Sequence, residues 1–390
     1  MLHSTKTSIN FMLFCLSILY FGSCSQQVGL EKSVQTLKET KTCVKCYLQQ
    51  SNLNYAKLAK ADLSEAVLDA SSMNGVDLNG ATLNSASFVK VDLSGSNLSG
   101  AVGKNVDLSQ AVMTNSKIIK TSIEESVFSG ANLSKSVLNE SIITDSDLSK
   151  VLMIKSQLIK VDLSRSDLSE GNYNHANFSD AILKGCNLEG VSAKNAVFKT
   201  TNLQDANLTK AILDGSDLSR SNLTRAQLDD ASLLDTNFNG ADLTLSSLKG
   251  ADLKNADLTF AQMSKADFTN ADLSGTTFHG SNASGALMVN TNLTGAKLEK
   301  SRFDGASFEN ANLTQIVSSK SKFINSVFKN TDLTNAVFKE SDLTGAIFEG
   351  VKLNGANLKG ANLDGVDLTQ AILCETVMSD GKVSNRNCKK

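Results

Sequence analysis

The 390-residue chain has no proline and no tryptophan, and only three histidines. Proline fixes φ and removes a backbone donor, so its complete absence suits a long regular β-structure. His3, His175 and His279 are too scattered to form a cluster, and no nucleophile motif, phosphate-binding loop or metal-ligand spacing is present. Neither sign of charge dominates: 38 Lys and Arg stand against 40 Asp and Glu, for a net charge of −2. The whole chain thus lacks both the basic excess expected of a nucleic-acid binder and a strong negative field. Nothing in it points to a catalytic site, a cofactor or a metal centre.

What the chain does have is a period. From Leu48 to Met378, each residue whose number ends in 3 or 8 occupies one recurring position, 67 in succession without insertion or deletion. Nearly all are Leu, Phe, Ile or Met; the exceptions are Gly103, Tyr173, Ala193, Ala283 and Ser318. Two residues earlier the chain carries Ala, Ser, Thr, Val, Gly or Cys from Ser51 to Thr376, with Ile316 the one departure. The unit reads small, polar, large apolar, polar, polar, as in Ala251-Asp252-Leu253-Lys254-Asn255. A period of five fits neither the 3.6 of an α-helix nor the 2.0 of a flat strand. It predicts a solenoid, in which one turn buries too little to offset its ordering entropy and stability comes from stacked neighbours.

Units such as Ala256-Asp257-Leu258-Thr259-Phe260 and Ala361-Asn362-Leu363-Asp364-Gly365 resemble the A(D/N)Lxx repeat of pentapeptide-repeat proteins, over roughly 330 of the 390 residues. The resemblance implies an all-β, right-handed quadrilateral β-helix, with four five-residue sides to each twenty-residue coil. Sixty-seven units would make about seventeen coils, a rod of roughly 80 Å at the ~4.8 Å spacing of neighbouring strands. A twenty-residue turn also accounts for the irregular positions. Ile316 and Ser318 exchange large for small within one unit, Tyr173 lies one turn from Ala193, and Phe308, Phe328 and Phe348 would form an aromatic ladder beside Phe303 and Phe323. No linker or change of composition follows residue 47, so residues 43–378 read as one elongated domain.

Ahead of the repeats, Lys6 precedes the apolar run Phe11–Phe21, which ends in Gly22-Ser23-Cys24. This is the layout of a secretory signal peptide, residues 1–23, and the run is too short for a confident membrane span. The small pair before Cys24 resembles a bacterial lipobox, although Phe21 stands where that motif carries Leu, Val or Ile. The resemblance implies lipidation of Cys24 and a lipid anchor in the bacterial cell envelope, on the outer membrane. Ordinary export to the periplasm and a short buried helix are the alternatives. Residues 24–42 would then be a tether, and Leu30, Val34 and Leu37 have the spacing of a short helix that could cover the first coil.

Cysteines 43 and 46 fall on inward phases, and the sequence following Cys46 supplies neither a haem-attachment histidine nor further zinc ligands. By resemblance to the opening of pentapeptide-repeat domains, Cys43 and Cys46 are a structural cap. Residues 379–390 resemble the closing segment of such chains, where a cysteine-flanked hairpin follows the last coil. That likeness, with the Asp380-Gly381 turn signal, implies a disulfide between Cys374 and Cys388 in an oxidising compartment. Cys186 sits at a small inward position and reads as a core residue.

The outer positions carry the remaining candidates. The many Asp residues recur at one phase alongside Asn and read as a solvated face. Leu152, Ile154 and Ile159 fall on outward phases in one short stretch, and Ile119 shares the phase of Ile159. The ordinary reading is scattered surface apolars; the functional reading is a partner-contact band. The expected function is a non-enzymatic interaction or scaffold protein of the envelope, presenting a long surface to a protein partner and not to nucleic acid. The alternative implied by the family is a DNA mimic that binds and protects a type II topoisomerase, which the small net charge and the export signal oppose.

Overall fold

The structure, a computed structural model, describes residues 21–388, with the side chains of residues 21–26 and 28 excepted. Most of the expected signal peptide, and the expected modification of the Cys24 side chain, therefore lie outside the described residues.

The chain opens with a helix, α1 (Phe21–Thr40), that runs through the expected boundary at residues 23 and 24. It is longer than the spacing of Leu30, Val34 and Leu37 suggested, because no proline interrupts its 20 residues and the only glycines are Gly22, in its first turn, and Gly29. Leu37 is fully buried, and Leu30 and Val34 pack on the same core, so one stripe of α1 covers the open end of the first coil. Lys41, at φ 60°, ends the helix. Its N–H donates to the Leu37 carbonyl and its own carbonyl accepts from Asp62, both at 2.9 Å, which passes the chain into the first coil.

From Thr42 onward, residues twenty apart form parallel bridges, beginning at Thr42↔Asp62 and ending at Asn357↔Val377. Each coil has four sides. We number them by their first members: side one contains residues 41–45, side two 46–50, side three 51–55 and side four 56–60. Most sides contribute a single bridging residue. Among the described residues only β1 (Val102–Lys104) and β2 (Ser122–Glu124) extend to three-residue strands, paired in parallel with Gly103 opposite Ile123.

The hydrogen bonds explain the five-residue unit. On side one, Leu63 N–H donates to Thr82 O at 2.8 Å and Glu65 N–H to Asn84 O at 2.7 Å, both in the next coil. The corner closes when Ala66 N–H donates back to Leu63 O at 3.0 Å. That four-residue turn places its third residue at positive φ, the type II pattern. Glu65 is at φ 57° and Gly75 at φ 60°, and the same holds at corner after corner. Glycine and asparagine recur at the fifth position for this reason.

Inside, the large and small positions are buried in alternation along each side. Phe308 and Phe328 stack at 5.0 Å, Phe303 and Phe323 at 5.1 Å, and Phe328 meets Phe348 at 4.9 Å with the rings tilted. Ile316 and Ser318 are both fully buried, so the exchanged sizes do share the core. Gly103 leaves a space that its neighbour fills, since an added Cβ there would lie 2.7 Å from Val106 Cγ2. Many buried hydroxyls at the small position donate to carbonyls one coil back, as in Ser71 Oγ to Leu48 O at 2.7 Å and Thr121 Oγ1 to Leu98 O at 2.9 Å. Others donate to a carbonyl three residues earlier, as in Ser116 Oγ to Met113 O at 2.7 Å, while those of Ser96, Ser216 and Ser281 have no partner among the described residues.

At the far end, β3 (Thr376–Val377) pairs antiparallel with β4 (Val383–Ser384) through a turn in which Gly381 stands at φ 84°. A disulfide joins Cys374 to Cys388, with the Cα atoms 4.7 Å apart. The last coil is not regular throughout. Leu363, Val366 and Leu368 keep the repeat in sequence, yet they are only half-buried.

Candidate functional surfaces

Polar side chains at the second position of the unit do more than meet water, which corrects the reading of the Asp residues as a plain solvated face. Asp62 Oδ1 accepts Ser64 N–H at 3.0 Å and Ser64 Oγ at 2.6 Å. The same pair of bonds recurs at Asp92 with Ser94, Asp267 with Thr269 and Asp342 with Thr344. An Asp or Asn two residues before a Ser or Thr thus satisfies the N–H at the corner, a side-chain mimic of a turn. The bonds from Ser64 hold the Asp62 carboxyl below its ordinary value. The signal was present in the sequence as a recurring Asp-Leu-Ser or Asp-Leu-Thr, and the spacing of two was the clue.

Corner charges pair along the rod. Arg165 donates through Nε and Nη2 to Asp145, one coil earlier, at 2.7 and 2.5 Å. Arg225 holds Asp205 in the same way at 2.7 and 2.9 Å. The Arg165 hydrogen bond draws the Asp145 carboxyl below the usual range. Such exposed pairs contribute little individually, and the bidentate geometry is what sets these two apart.

The near-neutral total conceals a partition by side. Side two, from residues 46–50 to 366–370, carries twelve Asp and Glu against five Lys. The opposite side four, from residues 56–60 to 376–380, carries twelve Lys and Arg against eight Asp and Glu. One long face is therefore acidic and its opposite is basic, a feature the composition cannot reveal.

Leu152 and Ile154 lie on side three, and Ile159 lies around the corner on side four. Leu152 is 38% exposed, whereas Ile154 and Ile159 are half-buried. Along side three Leu152 bridges Asn132 and Asn172, so polar residues flank it on both coils. The structure brings two of the three residues onto one side and does not extend them into a continuous band.

The cysteines whose side chains are described take three roles. Cys43 and Cys46 are joined by a disulfide, with Cα atoms 5.4 Å apart, beneath the end of α1. The sequence placed both at the first coil without showing that they bond to each other. Cys374 and Cys388 tie the closing hairpin. Cys186 is buried, and its Sγ meets Leu163 O at 2.9 Å, in the place that Ser166 Oγ takes toward Ile143 O. Burial pushes its thiol up to about 12, so it is an inert core donor. His175 is exposed, and His279 packs edge-on against Phe260 with ring centroids 6.0 Å apart. Among the described residues, no group of three or more His, Cys, Asp or Glu is placed to hold a metal ion. No helix among them is long and apolar enough to cross a membrane.

A four-sided parallel β-helix built from five-residue units, closed at both ends by disulfide-tied segments, defines a solenoid with its chemistry on outer faces. The family model for pentapeptide repeats matches the chain in successive segments from residues 46–84 to 348–380, and the chain belongs to that family. Its fold is the right-handed quadrilateral β-helix. Proteins of this family are generally scaffolds or interaction proteins and not enzymes.

Among solved structures, the chain is similar to HetL, a pentapeptide repeat protein involved in heterocyst differentiation regulation from the cyanobacterium Nostoc sp. strain PCC 7120. The identity is 26%, over 52% of this chain and 92% of that one, with a TM-score of 0.39. A pentapeptide repeat protein of the Arabidopsis thaliana thylakoid lumen is 29% identical over 26% of this chain and 68% of its own, with a TM-score of 0.24. QnrB1, a plasmid-mediated fluoroquinolone resistance protein, is 18% identical over 54% of this chain and 91% of its own, with a TM-score of 0.25. No curated protein matches the chain.

Proposed function

We propose that this chain is a non-enzymatic interaction or scaffold protein of the bacterial cell envelope, held to the membrane by a lipid on Cys24 and presenting its rod to a protein partner. The observation that carries the reading is the use of the chemistry-bearing side chains. Asp, Ser and Thr are engaged at corners, Arg and Asp pair along the coils, and the buried thiol serves the core, while long flat faces remain outside. Leu152, Ile154 and Ile159 are the proposed contact. The anchor rests on the Gly22-Ser23-Cys24 sequence.

Two measurements test this reading. Cys24→Ala should abolish labelled-lipid incorporation and move the protein out of the membrane fraction; unchanged labelling overturns the anchor. Leu152→Ser, Ile154→Ser and Ile159→Ser combined should weaken capture of the envelope partner by the mature rod. Undiminished capture removes these residues from the interface, and a turnover abolished by one polar substitution overturns the non-enzymatic reading.

One observation favours the second reading, a DNA mimic that protects a type II topoisomerase. The acidic excess of side two is far denser than the net charge implies. Salt-sensitive binding to a purified type II topoisomerase, lost on reversing Asp167 and Glu170 to Lys, would select it over the envelope reading.

A further inference from the structure

The coil-to-coil ladder lapses at one place among the described residues, on acidic side two near the end of the rod. In the preceding coil, Phe328 N–H donates to Ile347 O at 2.8 Å, Asn330 N–H to Glu349 O at 2.7 Å, and Ile347 N–H to Ser326 O at 2.9 Å. One coil further on, the equivalent N–H groups of Phe348, Gly350 and Asp367 have no backbone acceptor among the described residues, and no bridge joins residue 347 to residue 367. The two stretches have parted. Between them lies a cavity of about 290 Å³, lined by Ile347, Phe348, Glu349, Asp367 and Gln370 among others.

The closing segment grips the far stretch. Arg386 Nη2 donates to the carbonyls of Leu368 and Ala371, and the Cys374–Cys388 disulfide ties down the segment that carries it, just past β4. Sides one, three and four of the same coil stay paired, through Asn362, Ile372 and Val377. The exposed edge is therefore one strand long, with donors and acceptors that a single extended segment would satisfy. Its apolar part is Ile347, 52% exposed, with half-buried Leu363, Val366 and Leu368 beside it. Two acids line it, Glu349 and Asp367, on the side of the rod whose charge excess is acidic. Lys329 lies 3.7 Å from Glu349, and the Arg386 guanidinium acts on Asp367 from the closing segment.

We propose that this cleft takes an extended strand of a partner protein, with a large apolar residue turned inward between basic residues turned out. Strand addition supplies the missing ladder, and the rim selects the sign of charge. A second copy of this chain offers no free basic strand among the described residues, because its side four is bridged coil to coil, so the occupant is a cationic segment of another protein. The proposal rests on the interaction reading above and adds a site and a partner chemistry to it.

The test uses the full-length protein and a short fluorescent peptide of alternating lysine and leucine. Hydrogen exchange should show Phe348 and Gly350 amides open in the free protein and protected by the peptide. Glu349→Lys with Asp367→Lys should weaken binding about tenfold or more, with the fold intact by circular dichroism. A peptide methylated on its backbone nitrogens should not bind. Amides already protected in the free protein, no binding, equal binding to the double variant or by the methylated peptide, or protection elsewhere each overturn the proposal. Envelope capture that still depends on Leu152 would leave the broader reading standing in those cases.

Discussion

Tyr173 and Gly171 share one volume. The phenol ring turns back over its own unit, where its hydroxyl donates to Leu168 O at 2.8 Å and occupies the space that a Cβ at residue 171 would need. Gly171→Ala should therefore overpack the core and destabilise by about 1–3 kcal/mol, although alanine is the commonest residue type at that phase. Adding Tyr173→Leu should restore most of the loss in denaturant unfolding. A fully additive pair would show that the two positions do not compete.

The exchanged unit makes the same argument with the sizes reversed. Ile316→Ala should leave a cavity costing about 2–5 kcal/mol, and Ser318→Leu should overpack by about 1–3 kcal/mol. The double change restores the common sizes and should cost less than the sum. It also removes the Ser318 hydroxyl, which is buried without a protein partner.

Corner residues held at positive φ store backbone strain when they carry a side chain. Leu245 stands at φ 61° and is half exposed. Leu245→Gly should stabilise by about 1 kcal/mol, the relief of the left-handed conformation outweighing the added chain entropy. Phe260→Gly, at φ 59°, should gain less, because the Phe260 ring lies over Gly280 and beside His279. Paired thermal unfolding curves check the shared sign and the order.

These three cases mark what the chain of letters revealed and what it withheld. The period, the inward phases and the Phe308–Phe328 stack could be read directly, because burial repeats every five residues. The glycine at 171 looked like one more small residue, since its reason lies in the rotamer of Tyr173. The corner bonds of Asp62 and the left-handed corner at Leu245 were hidden by polar variety at positions judged only by exposure. The acidic second side and the cleft beside Phe348 needed the coils to be stacked before they existed at all.

Acid should weaken the rod through its corners. The Ser64 bonds lower Asp62, the Arg165 bond lowers Asp145, and the Thr369 N–H lowers Asp367, each from an ordinary 3.8. A carboxyl lowered in the folded state contributes stability that is complete above its unfolded value and is lost as pH falls through the folded one. Melting temperature should be flat above about pH 5 and fall below about pH 4. Asp62→Asn, which keeps an acceptor for Ser64, should reduce that slope, and a pH series on both proteins measures it.

Reduction should act at the C-terminal end. The Cys374–Cys388 bridge spans 14 residues, and closing such a loop constrains the unfolded segment by about 3 kcal/mol. A reductant should free the hairpin and let trypsin cut after the already exposed Lys382 and Arg386, while the coils before residue 340 resist. Cleavage that is equal with and without reductant would show that β3–β4 pairing holds the segment alone.

The twenty-residue offset between bridged neighbours, from Thr42↔Asp62 to Asn357↔Val377, also governs how such a chain tolerates changes of length. Removing five residues would leave every inward phase correct, so the core would close as before. Each side beyond the cut, however, would advance by a quarter turn: the acidic row would continue onto the neighbouring face, and the far cleft would point in a new direction. Removing twenty would shorten the rod and restore its aim. Length in this fold is thus an angular coordinate, and a surface at one end can be rotated against a surface at the other while the interior changes only in the stacked pairs that span the cut.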